Sequence, residues 1–290
     1  MVEAKQEETV PLSMTFLLQA QDDLPQGTWT MRWREALLGR LISVLDMPEQ
    51  DTALKAAPYT ISCFMPVESG GARRAKASVQ SVKNIQMKTG ERFRLRVSCL
   101  DDQSSAHLID RFSSVSIYPI QVEEDGVSVL VEGTQISSRL ADKWNNWLSC
   151  ERLYSEASGS LKLITLKFSS VTAFKRRNVY TPLPDPVLIF TGYHDLWKTY
   201  SGIPLPAGLT AAVENDLALI DFRISTGSVI LQQERVYGFL GSATFQLQGR
   251  HPESIIKGLN LLADYALFCG TGIGRKDGMG QTRRIFRLNN

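Results

Sequence analysis

The chain has 290 residues, of which 43% are hydrophobic and 21% charged, with a net charge of +2. At about 150 residues per domain this length predicts two folded domains, and the composition excludes a disordered chain. No apolar run approaches the ~20 residues of a membrane span, and the acidic first ten residues resemble neither a secretory signal nor an arginine-rich transit peptide. The four cysteines are far apart and the three histidines are not clustered, which argues against a disulfide framework or a zinc site. We therefore expect a cytoplasmic protein without membrane contact.

The same order of strands and helices is predicted in both halves of the chain. In the first half, apolar periodicity predicts a strand at 12–19, a helix at 29–45, strands at 59–67 and 92–100, a short helix from an N-cap at Ser104 or Ser105 to Phe112, and strands at 115–120 and 127–133. In the second half it predicts a strand at 161–168, a helix at 185–200, a hairpin of 221–231 and 235–247, a helix at 254–268 and a strand at 284–288. A helix at 137–157 would join the halves. This order is that of the ferredoxin-like α+β fold, so we predict two such domains in tandem, residues 1–136 and 137–290.

Positive charge is gathered into three clusters, although the chain as a whole is nearly neutral. Between residues 73 and 96 eight basic residues stand against a single acid, and the alternation at its end places Arg92, Arg94 and Arg96 on one face of a strand. Residues 175–177 form a second cluster, and a third lies between residues 275 and 287. Clusters of this kind are typical of a surface that binds a phosphate backbone, with solvated surface side chains as the alternative.

A glycine-rich loop follows the last predicted helix. Residues 270–280 contain five glycines in eleven positions, which predicts positive φ angles or a very close approach by a partner. The loop lacks the Lys-Ser or Lys-Thr of a P-loop and the GxGxxG of a dinucleotide site, and it follows a helix rather than a strand. Its amide groups, flanked by basic residues, would form an anion-binding cradle. A flexible helix-to-strand connection is the alternative.

The loop also resembles that of a known family. GTG-IGRKD-GMG fits the GhGxxxxxGhG loop of the repeat-associated (RAMP) proteins of CRISPR systems, and the chain is most similar to their repeat-cleaving endoribonucleases. Further similar stretches are PYTISCF (58–64), TAFKRRNVYTPLP (172–184), YGFLGSATFQLQ (237–248) and LLADYALFC (261–269). The resemblance implies tandem ferredoxin-like (RRM-like) domains and a cytoplasmic enzyme that cleaves precursor crRNA within each repeat. It implies that the RNA 2′-OH is the nucleophile, that the product has a 2′,3′-cyclic phosphate, and that no metal or other cofactor takes part.

The expected catalytic position departs from the family pattern. The family usually has an acid/base histidine shortly before the PYTIS-like strand, whereas residues 46–57 contain no histidine and Lys55 stands in its place. We therefore assign the stabilisation of the phosphorane charge to Lys55 and Arg34, with Arg32 and Tyr59 as further polar partners. Arginine does not normally exchange a proton, and lysine would do so only if its pKa fell well below ~10.4. A plain surface position for Lys55 is the alternative.

The predicted partner is CRISPR repeat RNA, as a stem-loop or a single strand. Residues 73–88 would form a loop or hairpin across an A-form stem, which proteins recognise by its shape and backbone. Trp29, Trp33 and Phe174 would stack on unpaired bases if they are not core residues. The predicted RNA-binding residues are Arg73, Arg74, Lys76, Lys83, Lys88, Arg92, Arg94, Lys175, Arg176, Arg177, Gly270, Gly272, Gly274, Arg275, Lys276, Gly278, Gly280, Arg283 and Arg284.

Two other functions fit the sequence. The missing histidine would suit a catalytically degenerate RAMP-type subunit that stays on the guide RNA in a CRISPR effector complex. A non-enzymatic ferredoxin-like module that binds an anion or a protein is the third possibility. His107, His194 and His251 are predicted to be structural, since no pair of them has metal-ligand spacing. The oligomeric state is left open.

Overall fold

The computed structural model describes residues 9–23, 58–62, 65–66, 88–112, 120–124, 127–135, 144–231 and 234–286. The predicted helix at 29–45 and most of the basic segment 73–88 lie outside these ranges. In the described part of the chain, no helix is long and apolar enough to cross a membrane.

The first half forms an antiparallel sheet whose central strand is the first of the chain. Its elements are β1 (Leu12–Ala20), β2 (Tyr59–Ile61), β3 (Met65–Pro66), β4 (Arg92–Cys99), α1 (Asp102–Phe112), β5 (Ile120–Glu124), β6 (Val127–Gln135) and β7 (Asn146–Trp147). The strand order is β2-β4-β1-β6-β5, with β3 paired to β4 and β7 to β1. Central β1 is almost wholly buried, because it pairs with β4 on one side and β6 on the other.

The second half repeats this topology with longer elements. It contains α2 (Cys150–Glu156), β8 (Leu163–Thr172), β9 (Phe174–Arg176), β10 (Val179–Thr181), α3 (Pro186–Tyr200), α4 (Leu209–Asp216), β11 (Leu217–Leu231), β12 (Glu234–Leu247), α5 (Glu253–Cys269), a 3-10 turn (Arg275–Asp277) and β13 (Thr282–Ile285). Its sheet has the order β11-β12-β8-β13, and β9 and β10 form a separate hairpin. When the four strands of each βαββαβ unit are numbered along the chain, their spatial order in both sheets is 2-3-1-4. This order confirms the prediction of tandem ferredoxin-like folds.

Several predicted boundaries differ from the structure for local reasons. Helix α1 starts at Asp102, because Asp101 is its N-cap: the Asp101 carboxylate accepts a hydrogen bond from the Ser104 amide at 2.7 Å. The predicted caps, Ser104 and Ser105, therefore lie inside the helix. In the described part of the joining helix predicted at 137–157, residues 144–149 are not helical, because Asn146–Trp147 pairs with β1, and α2 begins at Cys150. The final strand starts earlier than predicted, because Thr282 pairs with Phe168 of β8. The domain division at residue 136 stays a prediction.

Helix α5 connects the two halves. Its residues from Leu259 to Cys269 are buried almost without interruption, which a helix on one face of one sheet would not require. One side packs on the second sheet and on α3, where Tyr265 meets Trp197 edge-to-face with ring centroids 5.1 Å apart. The other side contacts β1, β2 and β4 of the first sheet. The glycine-rich loop, which follows α5 from Gly270, therefore lies at the junction of the two halves.

Candidate functional site

The glycine-rich loop has the backbone that its sequence predicts. All five glycines have positive φ, at 64° (Gly270), 75° (Gly272), 62° (Gly274), 88° (Gly278) and 68° (Gly280). Neighbouring atoms also exclude a side chain: a Cβ on Gly272 would collide with the Ala173 carbonyl oxygen, and one on Gly280 with the Thr271 carbonyl oxygen. Glycine is therefore required here both by conformation and by space.

Most of the loop's amide groups are used inside the protein. The amide of Thr271 donates to Gly280 O at 2.8 Å, that of Ile273 to Ala173 O at 3.0 Å, and that of Gly280 to Val171 O at 3.0 Å. The amides of Asp277 and Met279 both donate to Gly274 O. The prediction that these amides form an anion-binding cradle is therefore wrong for these five groups, because their hydrogen bonds already go to protein carbonyls. We call residues 270–281 the strap. Their hydrogen bonds fix them between the end of β8 and the junction of the two halves, so the segment is not a flexible connection.

The strap meets β2, the strand that directly follows the expected catalytic position. Ser62 pairs with Gly278 as a parallel β-bridge, and the Gln281 side chain donates from Nε2 to Ile61 O at 3.0 Å. Strand β2 contacts the 3-10 turn, and its first residue, Tyr59, is half-buried and interacts electrostatically with Asp277 of that turn. Burial, followed by the charge of Asp277, raises the pKa of Tyr59 above its usual value of 10.0. The phenol is therefore a proton donor, not a phenolate, at neutral pH.

Arg96 belongs to the junction and not to an exposed face. The predicted alternation is confirmed, since Phe93, Leu95 and Val97 are buried, but the face with the arginines becomes covered toward the end of β4. Arg92 is exposed and bridges Glu132 at 2.8 Å, Arg94 is half-buried, and Arg96 is 1% exposed. Arg96, although part of the basic cluster at 73–96, is therefore not on an exposed phosphate-binding surface, because α5 and the end of the strap cover it.

The Arg96 guanidinium makes five hydrogen bonds across the junction. It donates to Ser13 Oγ at 3.1 Å, Ser98 Oγ at 3.0 Å and Leu267 O at 2.7 Å. It also donates twice to the Gln281 side-chain oxygen, from Nε at 2.9 Å and from Nη2. The Trp144 ring lies 4.9 Å from its Cζ. One side chain therefore ties β1, β4, α5 and the end of the strap together.

Arg284 is likewise used for structure. Its side chain is 5% exposed, bridges the Asp264 carboxylate at 3.2 Å, and donates to Asn260 Oδ1 at 2.5 Å. Burial raises the pKa of Asp264, while the Arg284 charge opposes that rise. These contacts hold its guanidinium beside α5, and the RNA contact of Arg284 stays a prediction. Its neighbour Arg283 stacks on Trp144, with Cζ 5.3 Å from the ring.

Exposed positive charge remains on two elements beside the strap. The β9–β10 hairpin presents Lys175, Arg176 and Arg177 to solvent, and Arg177 has a φ of 54° at the hairpin turn. In the strap, Lys276 is exposed, and Arg275 is half-buried with Nη1 donating to Cys269 O at 2.8 Å. Lys88 of the first half is exposed as well. The hairpin and the 3-10 turn are thus the described elements best placed to contact phosphates.

Comparison with known proteins agrees with this fold. Residues 166–282 match the family model of the CRISPR-associated endoribonuclease Cas6. Over this segment the chain is similar to the Cas6 family of RAMP-type CRISPR proteins. A curated Cas6 endoribonuclease of Mycobacterium tuberculosis strain H37Rv is 27% identical over 193 residues, which are 65% of this chain and 57% of that protein. The match thus spans little more than half the length of that relative.

Solved Cas6 structures share the architecture over nearly the whole chain. A Thermus thermophilus Cas6 superposes with a TM-score of 0.69 at 21% identity, covering 97% of this chain and 100% of that one. A Cas6 product complex superposes with a TM-score of 0.72 at 19% identity, covering 96% of this chain and 100% of that one. At this level of identity the two structures show a shared Cas6 fold.

Of the four predicted catalytic residues, the described ranges contain only Tyr59. Lys55, Arg34 and Arg32 lie outside these ranges, as do the predicted RNA-binding residues Arg73, Arg74, Lys76 and Lys83. Tyr59 is the residue that the described structure brings against the strap. No sequence pattern points to Gln281, and the only signal for the role of Arg96 is an arginine in a strand that is otherwise apolar at its end.

The remaining candidate nucleophiles and ligands have structural surroundings. Cys99, Cys150 and Cys269 are free and buried, and burial raises the pKa of the Cys150 and Cys269 thiols to about 12. His251 Nε2 lies 2.8 Å from Gln248 O, and His194 Nδ1 lies 3.5 Å from the carboxylate of its neighbour Asp195. His107 is on α1, and its side chain is not described. Among the described residues, no group of three or more His, Cys, Asp or Glu could hold a metal ion.

A substitution in the strap should destabilise the fold. We expect Gly272→Val to lower the free energy of unfolding by about 1–3 kcal/mol, because it adds a β-branched side chain at positive φ against the Ala173 carbonyl. Urea unfolding measures the loss. Gly192→Ala is the matched control, since a Cβ there meets nothing within 4 Å and alanine is the better helix former. Equal urea midpoints for Gly272→Val and the wild type would show that the strap accommodates the valine side chain without loss of stability.

Proposed function

We propose that this chain is a metal-independent endoribonuclease that binds CRISPR repeat RNA and cleaves precursor crRNA within the repeat. The observation that carries the proposal is the contact between the strap and β2 in a chain that is similar to Cas6 endoribonucleases. It sets the exposed basic turn beside Tyr59, at the start of the strand that follows the expected catalytic position. Positive charge that can bind the RNA backbone and a hydrogen-bond donor that can assist cleavage thus lie close together.

The proposed reaction uses the RNA itself as nucleophile. The 2′-oxygen loses its proton and forms a bond to the adjacent phosphorus, and the bond from phosphorus to the 5′-oxygen breaks. One product ends in a 2′,3′-cyclic phosphate, and the departing 5′-oxygen takes up a proton. The protein must hold the 2′-oxygen in line and stabilise the charge of the phosphorane.

In this proposal the chemistry rests on positioning and charge. Lys55 and Arg34 stabilise the phosphorane, and Arg32 is a further cationic partner. Tyr59 is a hydrogen-bond donor whose raised pKa keeps it protonated at neutral pH. Exposed Lys175, Arg176 and Arg177, with Lys276 of the strap, contact RNA phosphates. Because no histidine precedes β2, we expect slow cleavage.

Incubation with the repeat RNA of its own CRISPR array in EDTA tests the proposal. We expect one cut per repeat that leaves a 2′,3′-cyclic phosphate and a 5′-hydroxyl, and no cut when the nucleotide before the break is 2′-deoxy. Binding should weaken steeply with salt, and replacing Lys175, Arg176 and Arg177 by alanine should flatten the log–log slope by roughly 0.7–0.9 for each phosphate that the variant no longer binds. Binding without cleavage would identify a degenerate RNA-binding subunit of an effector complex. Neither binding nor cleavage would identify an anion- or protein-binding module.

A further inference from the structure

A groove lies beside the strap on the side of α3. It has a volume of about 410 Å³ and is bounded by the start of the β9–β10 hairpin, by α3 and by the first half of the glycine-rich loop. This volume is in the range of roughly 300–1,000 Å³ that small-ligand sites have. The groove is continuous with the exposed hairpin, so a polyanion bound there would pass its opening.

The walls of the groove are apolar, whereas its rims are polar. Leu188 of α3, Ile273 of the strap and the edge of Phe174 form the apolar wall. Phe174 itself is held in the core by Phe239, with ring centroids 6.3 Å apart, so the wall is fixed. Asp195 and Thr199 lie on the α3 side and offer oxygen acceptors to the amino groups of a base.

A missing side chain on α3 keeps the groove open. Gly192 lines it in the middle of the helix, and a Cβ built there meets no atom within 4 Å. Glycine within a helix costs about 1 kcal/mol relative to alanine, and no close packing at this position requires it. A flat group can therefore enter between α3 and the strap.

Two cationic residues stand on opposite sides of the opening. Lys175 belongs to the hairpin, and its Nζ lies 5.6 Å from the centroid of the Tyr180 ring. Arg275 belongs to the strap and is oriented by the bond from its Nη1 to Cys269 O. Arg275 also begins the 3-10 turn, and that turn contacts β2, so the groove and β2 lie against the same turn. An apolar slot between two cations suits a base together with its phosphate.

We propose that this groove binds one unpaired nucleotide of the repeat RNA close to the cleavage point. The base lies against Leu188, Ile273 and Phe174, and its phosphate lies between Lys175 and Arg275. The proposal rests on the proposed function, since it names the part of the RNA that the protein holds outside the stem. Holding this nucleotide would fix the register of the RNA relative to β2.

Filling the groove from α3 provides the test. Gly192→Met should lower the affinity for repeat RNA by roughly 5- to 100-fold, the range for losing one stacked base. It should leave the affinity for a blunt stem without unpaired nucleotides unchanged. Ala211→Met is the control: it adds the same side chain at an exposed position of α4 outside the groove and should bind like the wild type. Thermal melting should show both variants folded. Equal affinity of Gly192→Met and the wild type for the full repeat would overturn the proposal.

Photocrosslinking of the wild-type protein gives a second measurement that needs no variant. Repeat RNAs with 4-thiouridine at single unpaired positions are irradiated, and the attached peptides are identified by mass spectrometry. We expect one position to crosslink to 174–175 or 273–275. Crosslinks that all fall elsewhere would overturn the proposal while leaving the proposed function intact. If the wild-type protein neither bound nor cleaved repeat RNA, the proposed function would be wrong and this proposal with it.

Discussion

Replacing Lys55 by alanine should lower the single-turnover rate of repeat cleavage by roughly 10- to 1,000-fold, and Arg34→Ala should do the same. The reason is that both cations are proposed to stabilise charge that develops only in the phosphorane. RNA affinity should change little, because this interaction strengthens mainly in the transition state. Rates at saturating protein, with affinities measured in parallel on 2′-deoxy RNA, separate the two effects.

The three histidines supply the control for this prediction. We expect near wild-type cleavage rates for His107→Ala, His194→Ala and His251→Ala. The ring of His194 contacts Asp195, and the ring of His251 contacts Gln248 O and Asp216, so both have structural partners. A large loss from any of them would place the acid/base role on that residue. Unchanged rates in both Lys55→Ala and Arg34→Ala would show that the active site has been assigned to the wrong residues.

The pH dependence of cleavage provides independent evidence. Catalysis by Lys55 and Arg34 predicts no inflection near pH ~6.5, where a histidine would titrate. Because the pKa of Tyr59 is raised above 10.0, its phenol keeps its proton through neutral pH and would lose it only under alkaline conditions. A decrease in rate that starts at alkaline pH and disappears in Tyr59→Phe would identify Tyr59 as the donor.

The fold could be predicted because its signals are local. The alternation in β4 and the spacing of apolar residues in α5 are properties of a few consecutive side chains, and they gave the strands, the helices and their order. Boundaries were harder to predict where a distant partner decides them. Asn146 and Trp147 follow no strand pattern, yet they extend the first sheet because Leu12 and Ser13 of β1 are there to pair with them.

The site was predictable only in part, because the sequence does not show which charges are covered. Arg176 and Arg284 both stand in basic clusters, but Arg176 lies on an exposed hairpin and Arg284 is enclosed with Asp264 beneath α5. The glycine spacing correctly predicted positive φ, whereas the amide groups donate to carbonyls at and just beyond the end of β8 and within the loop itself. Those partners include Val171 and Ala173, which are far from the loop in sequence. Only tertiary structure brings them together.

Arg96→Ala should cause the largest loss of stability of any substitution proposed for the junction. It removes a buried cation and leaves Leu267 O and the Gln281 side-chain oxygen without their donor. A buried acceptor without a partner costs about 1–3 kcal/mol, so we expect the free energy of unfolding to fall by about 3–5 kcal/mol. Arg92→Ala is the matched control on the same strand and face, where the side chain is exposed, and it should leave the urea midpoint nearly unchanged.

The same substitution should also affect cleavage, because Gln281 connects the two effects. Its oxygen accepts from Arg96 while its amide holds Ile61 O, so a released Gln281 loosens β2 from the strap. At a temperature where Arg96→Ala remains folded, we expect cleavage to slow more than RNA binding weakens. Adding Gln281→Ala should then cost much less than it does in the wild type, since the residues act as one network. Additive losses in this double-mutant cycle would show that Arg96 supports the first sheet alone and does not hold the strap against β2.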